Sequence, residues 1–427
     1  MKTGGSAAQK AANTAMLNHI ADHLQFLALL TPLLSTEKLA DGEAQDFSSS
    51  LAISSDGAPE KRSRNLDDEL ETREDTPEPA ANPSPKQPLE ILASLPEASF
   101  DAANKQHVAT CLPNKPRGEK VTWLAGPEPL LPSQGFSEDA PAFAKFEADL
   151  VAVWVGRTEL FFFQNTQLYW SRLSREGDGA PNRGEIHEVH PDAQSQERPA
   201  VAALAGKLVA AWKGVNHDKL YFSTLDRDSP GWSDPIPIPG AGSSTGPALA
   251  SLETNGLTRV YALWKGIPGD KNAWLAWYDG ECWEGPIHLP FVETDANVSI
   301  TCRGGEIFVS WKDSGTGRIK WMRLKHDGSE LLEEPQELGR SAESNLGPAL
   351  AELRGTLYAA WKGKGQPAEV WFTSWSGEAN EFRPTQLAPN SYTDRAPSLV
   401  GWDDWLVLAW RGADHEKTMW WKYGRLG

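Results

Sequence analysis

The chain has 427 residues, with 41 Lys and Arg against 58 Asp and Glu and a formal charge of -17 at pH 7. Phosphate binding needs clustered basic residues, so this balance excludes nucleic acid as a partner and suits solubility instead. Cys111, Cys282 and Cys302 are too few and too scattered for a disulfide framework or a zinc site, and no transmembrane segment is read, because none reaches the roughly 18 uninterrupted apolar residues that span a bilayer.

In chain order, residues 1–34 come first as an amphipathic helical segment. Leu17, Ile20, Leu24 and Leu27 recur at helical spacing, and Pro32 with Ser35 and Thr36 predicts a stop near residue 31. Asp22 and His23 interrupt the apolar run, and Leu33-Leu34-Ser35 makes a poor cleavage site for a typical secretory signal. The helix reads as one that awaits a protein partner, and the chain as either released without a typical signal or cytoplasmic. Residues 35–120 follow as a disordered, acidic, proline-rich linker. Between residues 41 and 90 thirteen acids face five bases, and Pro77, Pro79, Pro83, Pro85 and Pro88 punctuate the stretch. Such a segment buries too little apolar surface to offset the entropy of ordering it. All 19 tryptophans and all 7 tyrosines lie from Trp123 onward, which sets the domain of residues 121–427 apart.

That domain repeats with a period of roughly 50 residues. A tryptophan closes a short apolar strand at Trp154, Trp212, Trp264, Trp311, Trp361 and Trp410, and a base follows five of them: Lys213, Lys265, Lys312, Lys362 and Arg411. Each unit divides into four strand-like runs separated by turn residues. In the second unit these are Pro199 to Leu204, Lys207 to Lys213, Lys219 to Leu225 and Trp232 to Pro239. Four even strands per repeat predict an all-β, six-bladed β-propeller. Fourth strands carry a proline followed three residues later by Leu or Ile: Pro235/Ile238, Pro286/Leu289, Pro335/Leu338 and Pro384/Leu387. Proline fits there because an outer strand needs no donor on its free edge. The last unit ends after its third strand, and the missing pattern stands ahead of the first, at Trp123, Pro127 and Leu130. An N-terminal strand therefore closes the last blade and leaves no open edge. In the first unit Ile186 to Val189 must serve as the fourth strand without the proline.

Antiparallel order puts the loops between second and third strands on the same face as the segments joining the blades. That face collects Asn216-His217-Asp218, Asp270-Lys271, Asp313-Ser314 and Asp414-His415-Glu416. Indole faces and charged hydrogen-bonding groups together suit sugar rings, which makes glycans or glycoproteins the expected partners. The expected ligand-binding residues are Trp212, Lys213, Asp218, Trp264, Lys265, Asp270, Arg318, Trp361, Lys362, Trp410 and Arg411. A tryptophan that defines a repeat also serves packing between blades, and a base after it serves equally as a structural residue. In the third-strand pairs Tyr221-Phe222, Trp371-Phe372 and Trp420-Trp421, one member is expected in the core and the other in a pocket between blades. No cofactor and no metal are expected.

The phrase Gly246-Pro-Ala-Leu-Ala, Val260-Tyr-Ala-Leu-Trp-Lys-Gly266, Trp274, Asp279-Gly280, Trp283 and Pro286 repeats closely at Gly347 to Ala351 and Leu357 to Gly363. Over residues 121–427 it resembles the repeats of the fucose-specific lectin superfamily of fungal and bacterial propellers. The resemblance implies multivalent sugar binding, with an arginine entering the third strand, a Glu and an aromatic residue holding each sugar. The matching positions are Gln167, Lys219, Asn272, Arg318, Glu369 and Thr418, so Arg318 alone carries the family residue. Two rivals stand beside this reading. A protein-interaction propeller would dock through the N-terminal helix. A sialidase-like glycosidase would need recurrent first-strand arginines, which are missing, and an Asp-box that Ser223 to Trp232 only faintly echoes. The domain is therefore expected not to be an enzyme.

Overall fold

The computed structural model describes residues 121–427 except 125–126, 132–136, 157–165, 176–180, 366–367, 378–381, 414–415 and 427. The expected helix at 1–34, the linker at 35–120, and Asp414 with His415 lie outside the described residues.

Six sheets form the propeller. Blade 1 holds β3 (Ala142–Phe146), β4 (Asp149–Val155), β5 (Leu168–Ser174) and a split outer strand, β6 (Asn182–Arg183) with β7 (His187–Glu188). Blade 2 holds β8 (Ala200–Leu204), β9 (Lys207–Lys213), β10 (Lys219–Asp226) and β11 (Ile236–Gly242). Blade 3 holds β12 (Ala248–Thr254), β13 (Leu257–Lys265), β14 (Asn272–Tyr278) and β15 (Trp283–Glu293). Blade 4 holds β16 (Ser299–Arg303), β17 (Glu306–Lys312), β18 (Ile319–Lys325) and β19 (Leu331–Glu337). Blade 5 holds β20 (Ala349–Leu353), β21 (Thr356–Lys362), β22 (Glu369–Trp375) and β23 (Gln386–Tyr392). Blade 6 joins β24 (Ser398–Trp402), β25 (Trp405–Arg411) and β26 (Met419–Leu426) to β1 (Val121–Trp123) and β2 (Glu128–Pro129) from the start of the domain.

The ring closes as its repeat pattern requires. β1 pairs with the end of β26 through Val121 opposite Leu426, and β2 sets Glu128 opposite Trp421 and Pro129 opposite Trp420. Leu130 then donates its N–H to the Met419 carbonyl at 2.8 Å and buries its side chain completely. In blade 1 the short β6 and β7 replace one continuous outer strand, which matches the missing proline pattern there.

Two details of the outer strands differ from expectation. In blade 2 the strand begins at Ile236, opposite Phe222, rather than at Trp232, and a bulge opposite Lys219 to Tyr221 lies at its other end. Trp232 instead lies ahead of the strand and meets Trp170 of blade 1 edge to face at 6.1 Å. In blade 5, Leu387 is 42% exposed and Ala388 fills the buried position, because Leu387 sits opposite Trp371 where Pro237 sits opposite Tyr221. The proline pattern there is one residue out of step with the ladder.

Each core cluster spans one seam between blades. Trp154 packs with Ala409 and Trp421 of blade 6, Trp212 with Val151 and Val153 of blade 1, and Trp264 with Val209 and Phe222 of blade 2. Trp311 meets Leu263 of blade 3, Trp361 meets Phe308 of blade 4, and Trp410 meets Tyr358 of blade 5. The six indoles are at most 2% exposed, so the repeat marks the place where each blade is held to the one before it. Second strands such as Leu208-Val-Ala-Ala-Trp212 are buried on both faces for the same reason. The first strands surround an axial cavity of about 270 Å³, ringed by Phe143, Val201, Leu249, Ile300, Leu350 and Leu399. Among the described residues no helix is long and apolar enough to cross a membrane.

Candidate functional site

Six connectors lead into the first strands, and each begins with a buried hydroxyl: Ser137, Ser195, Ser243, Thr294, Ser344 and Thr393. Each side-chain oxygen accepts the N–H two residues on, at 3.0–3.3 Å, which fixes the turn. Proline stands four residues after five of these hydroxyls, and Val298 takes its place in blade 4. This Ser/Thr-x-x-x-Pro repeat is legible in the sequence, though the residue types are common enough to pass unnoticed.

The residue after the hydroxyl explains the base that follows four of the anchor tryptophans. Lys265 donates to Ser244 Oγ at 2.7 Å, Lys362 to Asn345 Oδ1 at 3.0 Å, and Arg411 to Asp394 Oδ1 at 2.8 Å. Lys312 reaches Asp295 in the same way. Lys265, Lys362 and Arg411 are buried, and burial pushes both lysines below the ordinary value even though Asp270 favours the charge on Lys265 and Asp394 that on Lys362. The expectation that these three bases face a ligand is corrected accordingly: their charged ends turn inward and clamp the connectors. Lys213 is half-buried and bonds its own turn, at the His217 carbonyl, 2.9 Å away. Trp264 and Trp361 are likewise packing residues, because the seams enclose their indoles.

Opposite the anchor tryptophan stands a second ring in five blades: Tyr169, Tyr221, Trp274, Trp371 and Trp420, with Lys320 in blade 4. These five are half-buried, whereas their neighbours Phe222, Phe372 and Trp421 enter the core. The alternation of a strand thus leaves one ring at the mouth of each such seam.

A carboxylate approaches that ring in two blades. Asp270 Oδ2 accepts the Trp274 indole N–H at 2.9 Å, and Glu416 Oε1 accepts that of Trp420 at 3.1 Å, each across four residues. Glycine makes room for both, since a Cβ on Gly266 would lie 2.0 Å from Asp270 Oδ2 and one on Gly412 2.6 Å from Glu416 Oε2. Burial opposes the Asp270 charge, but bonds from Asn272 and Trp274 hold its carboxyl below the usual range.

Two seams open into pockets at this level. Between blades 5 and 6, Asn390, Tyr392, Trp410, Glu416, Trp420 and Pro127 line about 390 Å³. Between blades 1 and 2, Gln194, Trp212, His217, Tyr221, Asp192 and Asp234 line about 560 Å³. Trp212 and Trp410 therefore border pockets, though both remain almost wholly buried. Asp218 lies beside the second pocket without lining it, and its carbonyl accepts the Ser243 N–H at 2.8 Å. Arg318 pairs with Glu337 and lies 3.9 Å from Glu343. The structure thus gathers Trp212 and Trp410 with Tyr221, Trp420, Tyr392 and Glu416 at pockets, and leaves most of the expected bases in the scaffold.

Nearer the axis, three connectors carry further charge. Arg198 donates to the Pro397 carbonyl at 2.9 Å, which ties blade 2 to blade 6. Burial raises the Asp139 carboxyl above its usual value, and the charges of Arg198, Arg395 and Arg411 do not offset it. Glu197 is raised by burial and by Asp139. Among the described residues no group of His, Cys, Asp and Glu could hold a metal ion.

These features define a six-bladed β-propeller, and solved structures share its fold. A protein of unknown function from Dyadobacter fermentans superposes with a TM-score of 0.53 at 12% identity, covering 71% of this chain and 100% of its own. Aleuria aurantia lectin, solved with alpha-methyl-L-fucoside, gives 0.48 at 12% identity, covering 69% of this chain and 96% of its own. A GH43_1 enzyme from Xanthomonas citri gives 0.41 at 14% identity, covering 71% of this chain and 91% of its own, and a microbial sialidase also matches. The expectation that the domain is not an enzyme is withdrawn on that finding, because enzymes stand among the similar folds alongside lectins. No protein-family model matches the sequence. No curated protein matches it either.

Proposed function

We propose that the propeller is a multivalent carbohydrate-binding module whose ligands occupy the seam pockets on the connector face. The reading is carried by the ring and carboxylate at the pocket between blades 5 and 6, where Trp420, Tyr392 and Glu416 converge on about 390 Å³. An aromatic face packs against the C–H side of a sugar ring, and a carboxylate and an amide accept and donate to its hydroxyls. Individual pockets of this size and openness bind weakly, so useful affinity comes from several pockets on one rigid ring. Fucose is the ligand that the sequence resemblance suggests, and the placement of Arg318 in ion pairs disfavours it at blade 4. A protein-binding propeller is the alternative, favoured by exposed Ile236 and Phe291 on the outer strands of blades 2 and 3.

A glycan array probed with the full chain and with a Tyr221→Ala, Trp420→Ala double variant tests this. The parent should bind a defined glycan set and the variant should lose at least tenfold, with its cooperative melt retained. Absence of any glycan binding by the parent overturns the reading in favour of the protein-binding one.

A further inference from the structure

The charge in the pocket between blades 5 and 6 is one-sided. Its rings are Tyr392, Trp410 and Trp420, its amide is Asn390, and its charged side chain is Glu416, with no Lys or Arg among the described lining residues. Of the bases close to it in sequence, buried Lys422 donates to the Pro389 carbonyl at 2.6 Å, and two others have acid partners. Arg411 is bound to Asp394 at 2.8 Å, and Lys417 to Glu138 at 2.8 Å. Glu416 makes no ion pair among the described residues, and its bond to the Trp420 N–H occupies one oxygen while leaving the full negative charge in place. A carboxylate beside exposed aromatic surface attracts a cation through both its charge and the negative faces of the rings.

We propose that this pocket selects amino sugars carrying a free, protonated amine. The proposal rests on the carbohydrate reading and adds to it the class of sugar. A glucosamine-type residue would lay its C–H face on Trp420 or Tyr392, point its hydroxyls at Asn390, and place its ammonium at Glu416. N-acetylation removes the charge and adds bulk at the same atom. Carboxylated sugars such as sialic and uronic acids meet like charge at Glu416 and are disfavoured. One charge-assisted hydrogen bond corresponds to a preference of about ten- to a hundredfold for the free amine over its acetylated counterpart. That preference falls as the pH rises through the pKa of the sugar amine, because the ligand then loses the charge that the carboxylate attracts.

The test titrates the full chain with β1,4-linked glucosamine disaccharide and with its N,N'-diacetyl form, at about 0.15 M salt to screen the general negative charge of the protein. Binding is read at the Trp420 indole N–H resonance, assigned with Trp420→Phe, so that one pocket is observed. The free-amine disaccharide should bind at least tenfold tighter below the amine pKa and lose that advantage above it. Glu416→Gln should remove the difference, whereas Glu281→Gln, at an exposed acid on the opposite face, should preserve it. If the diacetyl form binds equally or better, or if the preference survives Glu416→Gln, the selectivity is refuted while the carbohydrate reading stands. If N-acetyl-lysine amide binds as tightly as the disaccharide, the pocket recognises amines rather than amino sugars and the proposal falls. If no sugar shifts the resonance and the array is empty as well, the carbohydrate reading falls with it.

Discussion

Removal of the closing strand is the sharpest perturbation of this fold. A chain beginning at Pro141 keeps every strand of blades 1 to 5 but loses β1, β2 and the buried side chains of Val121, Leu130 and Leu131. Full burial of such side chains contributes about 1.5–3 kcal/mol each, or about 5–9 kcal/mol for the three. That is comparable with the whole stability of a typical domain, about 5–15 kcal/mol. The truncation also uncovers the edge of β26, a template for pairing with another chain. A chain beginning at Lys120 should melt cooperatively, whereas one beginning at Pro141 should aggregate or melt far lower, by tryptophan fluorescence and light scattering. Leu130→Ala in the longer chain separates closure from the effects of truncation. It leaves the strands in place but empties a fully buried site, at a cost of about 2–5 kcal/mol and a fall in Tm of the order of 5–15 °C. Equal melting of the Lys120 and Pro141 chains would refute closure by the N-terminal strand, and an unchanged Tm for Leu130→Ala would refute its anchor.

Trp264→Ala should cost about 3–5 kcal/mol by chemical denaturation, because the indole is sealed in the seam of blades 2 and 3; a shift under 1 kcal/mol would return it to the candidate ligand contacts. Lys422 is buried, donates to the Pro389 carbonyl at 2.6 Å, and burial lowers it from 10.5 to about 8. Below pH 8 the folded state holds that ammonium at a cost, and the cost disappears as pH rises from about 8 to 10.5. Stability should therefore climb across that window, and Lys422→Met should flatten the climb. Asp139 has the opposite sign of charge and a raised folded value, so its contribution is complete below the unfolded value of 3.8 and is lost as pH rises through the folded one. Asp139→Asn should stabilise the domain near pH 7 and give no gain below about pH 3, as measured by melting across pH.

The architecture was legible in the sequence because its strongest signal and its main source of stability are the same residues. Tryptophans 154, 212, 264, 311, 361 and 410 recur because six equivalent seams each need one large ring, so counting them counted blades. Pro127 and Leu130 could likewise be matched to the last blade, since a closed ring obliges one terminus to supply the missing strand.

The site was less legible, and the bases after the tryptophans show why. Their recurrence resembled a functional signal, yet Lys312, Lys362 and Arg411 each bond a residue 17 positions earlier, across a connector whose turn is set by a hydroxyl. Periodicity identifies residues that every blade needs, and what every blade needs is first of all the means of joining the next. Ligand groups need not recur. Glu416 has a counterpart in Asp270 but not at His217, and Tyr392 lies on an outer strand where the ladder in blade 5 is out of step with its proline. A pocket assembled from the second strand of one blade, the third of the same blade and the outer strand of its neighbour has no contiguous motif. Its members become visible only when alternation along the third strand is combined with the seam that the tryptophans mark. That combination separates Trp420 at the pocket from Trp421 in the core, two adjacent identical residues whose roles the sequence alone could pair but not assign.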